Sequence, residues 1–171
     1  MSGADARRQS AWRKWRDLPA PDRRLVLRLV ALLPSVAAAI RIFGLRRVCR
    51  FLSRHPAIGE GATAPDVPGA REAGRLVNAA AFRIPGRPNC LTRSVTLWWI
   101  LRRRAIDSAL RIGVRTVAGH LEAHAWVELA GLVLNDDPDT ARRFAPFEGT
   151  NLPALSPEPC PPSRAALRRK P

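Results

Sequence analysis

The chain has 171 residues, 46% of them hydrophobic, which suits one ordinary core and leaves too little for two substantial domains. Its net charge of +15 is nearly all arginine, since Lys14 and Lys170 are the only lysines; that balance bears on solubility and non-specific contact with anions, not on fold. Three scattered cysteines, Cys49, Cys90 and Cys160, exclude a disulfide scaffold, and without a CxxC pair or tight Cys/His cluster structural zinc is excluded too, so a reducing, cytoplasmic setting is expected.

Residues 1–55 read as a basic helical region. Arg7, Arg8, Arg13, Lys14 and Arg16 are not followed by an apolar core with a small-residue cleavage site, so no signal peptide is read. The apolar stretch Leu25 to Leu45 is interrupted by Arg28, Pro34, Arg41 and Gly44, leaving well under the ~20 residues of a membrane span. Leu25, Leu29, Leu32 and Leu33 form one helical stripe, and Val36, Ile40 and Phe43 follow Pro34. This spacing predicts two helices broken near Leu33-Pro34-Ser35, with Asp22 as N-cap and Arg46, Arg47 and Arg50 toward the C-terminal end.

Residues 56–70 turn abruptly to Pro, Gly, Ala and acid, the composition of a linker or surface loop. From residue 71 to 151 a second pattern runs. Helical spacing through Ala73, Leu76, Val77, Ala80 and Ala81 predicts a helix from Arg71 to Phe82, stopped by Ile84-Pro85-Gly86-Arg87-Pro88. Asn89 then offers an N-cap, and Leu91, Val95, Trp98 and Leu101 predict a helix from Cys90 to about Arg104. Adjacent Trp98 and Trp99 cannot both face its core side. Beyond it the period becomes two: Leu110 to Thr116 and Ala123 to Leu129 predict strands, with a third from Leu132 to Asn135 after Gly131. The fold class is therefore α+β, an antiparallel sheet laid on the helix that begins at Cys90. The proline-rich tail, 152–171, is expected to be disordered.

Three residues carry the chemistry. A thiol attacks an acyl carbon as thiolate, and the unpaired amides of a helix's first turn favour that anion; Cys90 has that position. His124, between small Ala123 and Ala125, supplies the base and later the acid. A carboxylate must orient the imidazole. If Leu129-Ala130-Gly131 form a three-residue hairpin loop, His124 faces Asp136; a two-residue loop, Ala130-Gly131, brings Asp137 opposite instead, because a one-residue slip flips every side chain. The glycine placement mildly favours the longer loop, and residue patterns leave the choice open.

Cys90-Leu-Thr-Arg-Ser94 with its Trp98-Trp99 helix, Leu110-Arg-Ile-Gly-Val114, His124-Ala-Trp-Val-Glu128, Gly131 and Leu134-Asn-Asp136 resemble the transglutaminase-like leader peptidase of lasso-peptide biosynthesis, over about residues 71–148. The resemblance implies a papain-like fold, a Cys90-His124-Asp136 triad that selects Asp136, and removal of the leader from a ribosomally made precursor. It also implies partners: the precursor, an ATP-dependent lasso cyclase, and a leader-recognition protein that is separate here, since the first 70 residues show helical periods and no winged-helix strand pattern. No cofactor or metal is required.

Around this triad, Asn89 and Ser94 are expected to cap or line the site, and Trp126 and Glu128, on the face of His124, to line the cleft or shield the ion pair. The blander roles are cross-strand packing and a solvated carboxylate. His120 and His124 lie about 13 Å apart on a strand, too far to share a metal ion. Two other functions fit parts of the pattern. Acyl transfer to an amine would use the same triad, and the charge alone would suit a non-enzymatic basic module that binds nucleic acid, without specific recognition, or a membrane.

Overall fold

The structure, a computed structural model, describes residues 20–54 and 66–147, with side chains from Val26 onward in the first stretch. The expected linker is therefore mostly outside the described residues, as is the tail.

Helix α1, Ala20–Phe43, buries Val26, Leu29, Leu33 and Val36 along one side. The break expected at Pro34 does not occur. A proline removes one backbone donor and crowds the preceding turn, but the buried seam continues on both sides of it, and the Ser35 hydroxyl donates to the Ala31 carbonyl at 3.0 Å. Four large side chains withdrawn from water at about 1.5–3 kcal/mol each outweigh the ~3 kcal/mol that an interior proline costs. The chain turns instead at Gly44, whose φ of +79° suits glycine. Helix α2, Leu45–Ser53, then buries Val48, Cys49 and Leu52. Asp22, the expected N-cap, falls inside a helix already running at Ala20, where side chains are not described.

Helix α3, Val67–Ala81, starts four residues earlier than its apolar spacing predicts, because the Asp66 carboxylate accepts the Gly69 N–H at 2.9 Å and Pro68 fits the first turn. Helix α4 is Cys90–Arg103. It places Trp98 in the core at 2% exposure and leaves Trp99 half-buried. Residues from all four helices join Leu110, Val127, Leu129 and Leu134 in one apolar cluster, so the N-terminal helices share a core with the sheet.

Four antiparallel strands lie in the order β3-β2-β1-β4: β1 Ala109–Val117, β2 His120–Leu129, β3 Leu132–Val133 and β4 Ala145–Pro146. The α+β class is as the periodicity predicts. Ala118 and Gly119, both at positive φ, close the first hairpin as a two-residue turn, so that Gly113 faces His124 across β1 and β2. Alternation then sends Ala125, Val127 and Leu129 to the helices and His124, Trp126 and Glu128 to the other side. On that second side Trp126, Val133 and Phe144 form a small cluster of their own.

Strand β4 and the short helix α5 before it, Thr140–Arg143, have no periodic signature in the sequence. They are held by close approach to Gly113, where a Cβ would stand 2.8 Å from the Ala145 carbonyl oxygen and 2.9 Å from the Trp126 ring. The third strand is shorter than expected. Leu134 still donates to the Val127 carbonyl at 3.0 Å, but the Val127 N–H is taken by the Asn135 side chain at 2.9 Å, and the ladder stops there.

Candidate active site

Cys90 is the first residue of α4. Ahead of it Gly86 and Arg87 adopt positive φ and turn the chain sharply, and Asn89, extended at ψ 170°, caps the helix by accepting the Thr92 N–H at 2.9 Å. Asn89 is thus a cap, and its side-chain oxygen is committed to the helix. The first turn of α4 contains no acidic residue, so nothing there offsets the positive end of the helix dipole. Cys90 is half-buried, whereas Cys49 is sealed in the core at 1% exposure and its thiol is pushed up to about 11 by desolvation.

His124 sits near the middle of β2 with its side chain 19% exposed, and its Nε2 lies 2.5 Å from Asp136 Oδ2. The other carboxylate oxygen of Asp136 accepts the Asp137 N–H at 2.8 Å, which fixes the carboxylate plane. With Nε2 engaged, Nδ1 is the nitrogen available for proton exchange. The imidazole stacks on Phe144 at 4.9 Å between centroids and is roughly parallel to the Trp126 ring at 6.4 Å. Arg115 lies over the Phe144 ring at 4.6 Å.

The longer hairpin loop that would place Asp136 opposite His124 is not the one formed. Leu129 pairs with Leu132 and Glu128 with Val133, so the loop is the two-residue Ala130-Gly131, both at positive φ. An ideal ladder in that register would carry Asp137 to His124. The chain leaves the ladder at Leu134, however, and the bend through Asp136 swings the earlier carboxylate onto the imidazole; Asp137 instead turns its Oδ1 to the Asp139 N–H at 2.9 Å.

A buried hydrogen-bond knot ties the three elements together. The Ser94 hydroxyl, one turn after Cys90, donates to the carbonyl of Ala125, the neighbour of His124, at 2.8 Å. It also accepts from the Asn135 side chain, next to Asp136, at 2.9 Å. Asn78 of α3 donates to the Asn135 carbonyl at 2.8 Å and accepts from Arg93 at 3.1 Å. Ser94 is wholly buried and Asn135 is 5% exposed, so the polar groups of these two must be satisfied from within the protein. Ser94, expected to cap or line the site, is therefore a fastener behind it.

Trp126 is only 1% exposed and does not line an open cleft. Its Nε1 donates to Glu128 Oε1 at 2.7 Å, and Glu128 Oε2 pairs with Arg111 Nε at 3.1 Å, so this carboxylate is spent within the sheet. Asn135, Asn78 and Phe144 were missed by sequence reasoning. None of the three carried a signal in the residue pattern: alternation along the expected strand puts Asn135 on the side of Trp126, whereas its side chain turns to the helix side to meet Ser94.

The family model of the transglutaminase-like superfamily matches residues 29–148, well over half of the sequence. The chain belongs to this superfamily. The match starts within α1, so this transglutaminase-like unit includes most of the helical layer as well as the sheet. The microcin J25-processing protein McjB of Escherichia coli is 47% identical over 53 residues, 31% of this chain, and the matched segment spans 24% of the relative's length. No solved structure matches the chain.

Two open depressions lie on the surface. One, of about 590 Å³, is lined by Arg115, Leu121, Arg142, Phe144 and Pro146, and so shares Phe144 with His124. The other, of about 210 Å³, is lined by Phe82, Arg87, Pro88 and Arg93, which bracket Cys90 in sequence. Among the described residues no group of three His, Cys, Asp or Glu side chains is placed to hold a metal ion.

Proposed function

We propose that this protein is a cytoplasmic cysteine peptidase that removes the leader from a lasso-peptide precursor through Cys90, His124 and Asp136. The observation that carries this reading is the His124 to Asp136 contact at 2.5 Å, fastened one residue away through Ser94 to the helix that Cys90 begins. Membership of the transglutaminase-like superfamily supports thiol acyl chemistry, and the partial likeness to a microcin-processing protein supports the substrate class.

In this reading the Cys90 thiolate attacks the carbonyl carbon at the leader–core junction, and amides at the start of α4 receive the oxyanion. The tetrahedral adduct collapses as the C–N bond breaks, and His124 Nδ1–H protonates the departing amine. A water then gives its proton to Nδ1 and its oxygen to the thioester carbon, freeing the acid and restoring the thiol. Asp136, accepting from Nε2–H, holds the ring in the required tautomer and stabilises the imidazolium, which forms when Nδ1 takes the Cys90 proton and again when it takes the proton of water. The arginine-lined depressions suit a peptide that carries carboxylates on either side of an apolar junction.

The test is mass spectrometry of precursor incubated with this protein and a leader-recognition partner, with Cys90→Ala as control. Two fragments summing to the precursor plus one water, absent with Cys90→Ala, are the expected result. A conjugate with an added amine would assign acyl transfer instead, and intact precursor in every arm would end the proposal.

A further inference from the structure

Helix α1 is apolar on two opposite sides. Val26, Leu29, Leu33 and Val36 face the core, while Leu27, Ala31, Pro34, Ala38 and Ile42 recur at three- and four-residue spacing and are all exposed. Leu27 is 60% and Ile42 70% exposed, and Phe43, where the helix ends, is 57% exposed. An exterior stripe on a surface helix is ordinarily polar. Here Val26 to Phe43 has a mean hydropathy of 2.0 with only 22% of it buried, and by length and composition alone it would be long enough to cross a membrane. Its buried seam packs with α3 and α4, however, so it is anchored in the fold and offers only its outer side.

The charge around that stripe has one sign. Arg28, Arg41, Arg46, Arg47, Arg50 and Arg54 are all exposed, and residues 26–54 contain no Asp or Glu. A second copy of the chain would bring the same cations against one another, so self-association through this face is opposed by like-charge repulsion. An anionic bilayer offers both complements at once: acyl chains for Leu27, Ile42 and Phe43, and headgroup phosphates for the guanidinium groups.

We propose that the outer side of α1, with the arginine-bearing surface of α2 that follows Gly44, docks on the surface of an anionic phospholipid membrane. The helix lies in the interfacial plane, with a contact stripe about 22 Å long from Leu27 to Ile42 at 1.5 Å per residue. The arginines supply long-range attraction and the apolar side chains supply depth. This docking stands independently of the peptidase reading.

Flotation of the full chain with vesicles tests it. The protein should rise with vesicles containing roughly one-third phosphatidylglycerol and stay behind with pure phosphatidylcholine. Raising salt from ~0.1 M to ~1 M, which shortens the Debye length from about 10 Å to about 3 Å, should weaken binding. The Ile42→Ser/Phe43→Ser and Arg46→Glu/Arg47→Glu pairs should each weaken it by about tenfold or more with an unchanged Tm, since the altered side chains are exposed. Failure to float with anionic vesicles would overturn the proposal. So would undiminished binding by the Ile42/Phe43 pair, which would leave charge alone responsible. A dimer in gel filtration that Ile42→Ser dissolves would give the face to a second copy and also overturn it.

Discussion

Asn135 donates its side-chain N–H to the Ser94 hydroxyl at 2.9 Å across 41 residues of sequence, joining the residue before Asp136 to the helical turn after Cys90. Both residues are buried, and Ser94 passes the connection on to the Ala125 carbonyl beside His124. The three groups of the proposed triad, at three places in the chain, would otherwise be positioned only by the sum of weak packing contacts; here each is within one residue or one turn of a shared bond.

Removing either partner should therefore be costly twice over. Ser94→Ala and Asn135→Ala each leave buried polar atoms unpaired, a penalty of about 1–3 kcal/mol, and the two should be non-additive by at least about 0.5 kcal/mol in a denaturant-based double-mutant cycle. Both should lower kcat more than they raise KM, because both side chains are buried and out of reach of a bound peptide. Additive stability effects would show that the bond does not couple the two elements.

Asp136 and Asp137 should separate cleanly in kinetics. Asp136→Ala removes the acceptor that His124 Nε2 requires and should reduce kcat/KM on the order of a hundredfold or more. Asp137→Ala loses only a turn contact to the Asp139 N–H and should change it by about 0.5 kcal/mol or less, roughly twofold. Steady-state rates on a precursor-derived peptide decide; equal losses would mean that the observed pairing is not the working one.

Cys49 and Cys90 should differ in reactivity and in their effect on alkaline stability. In a Cys160→Ser background, iodoacetamide near neutral pH should label Cys90 and spare Cys49, which peptide mapping would show. Burial raises the Cys49 thiol from 9.0 to about 11, so the thiol is protonated in both folded and unfolded chains below pH 9 and favours neither. Above that the unfolded chain ionises first, and stability falls as pH rises toward about 11, by up to about 3 kcal/mol. The fall between neutral pH and pH ~11 should be smaller in Cys49→Ala, whatever its stability at neutral pH.

Gly74→Ala weighs helix propensity against contact. Alanine in a helix interior gains up to about 1 kcal/mol over glycine. At this position its Cβ would stand 2.5 Å from the Leu134 carbonyl oxygen, a backbone atom that cannot rotate away. The overpacking cost of about 1–3 kcal/mol should win, lowering Tm and kcat together as α3 is pushed off the bend that carries Asn135 and Asp136. A rise in Tm would show that the bend yields freely.

The sequence by itself determined the elements whose side chains repeat. The helix from Cys90 and its Asn89 cap, the strands of β1 and β2, and the presence of a carboxylate after the second hairpin all follow from periods of 3.6 and 2 and from local capping chemistry. These depend on neighbours in the chain, so they are legible there. Only the tertiary structure decided which carboxylate meets His124. The hairpin took the two-residue loop that the strict ladder associates with Asp137, and Asn135 then ended the ladder by claiming the Val127 N–H and bonding Ser94, which swung Asp136 into place. Pro34 likewise failed to break α1 because burial on both sides of it outweighs one lost backbone bond, and β4 with Phe144 exists because Gly113 leaves room for it. Each of these outcomes depends on atoms brought together from distant parts of the chain, and no local pattern encodes that proximity.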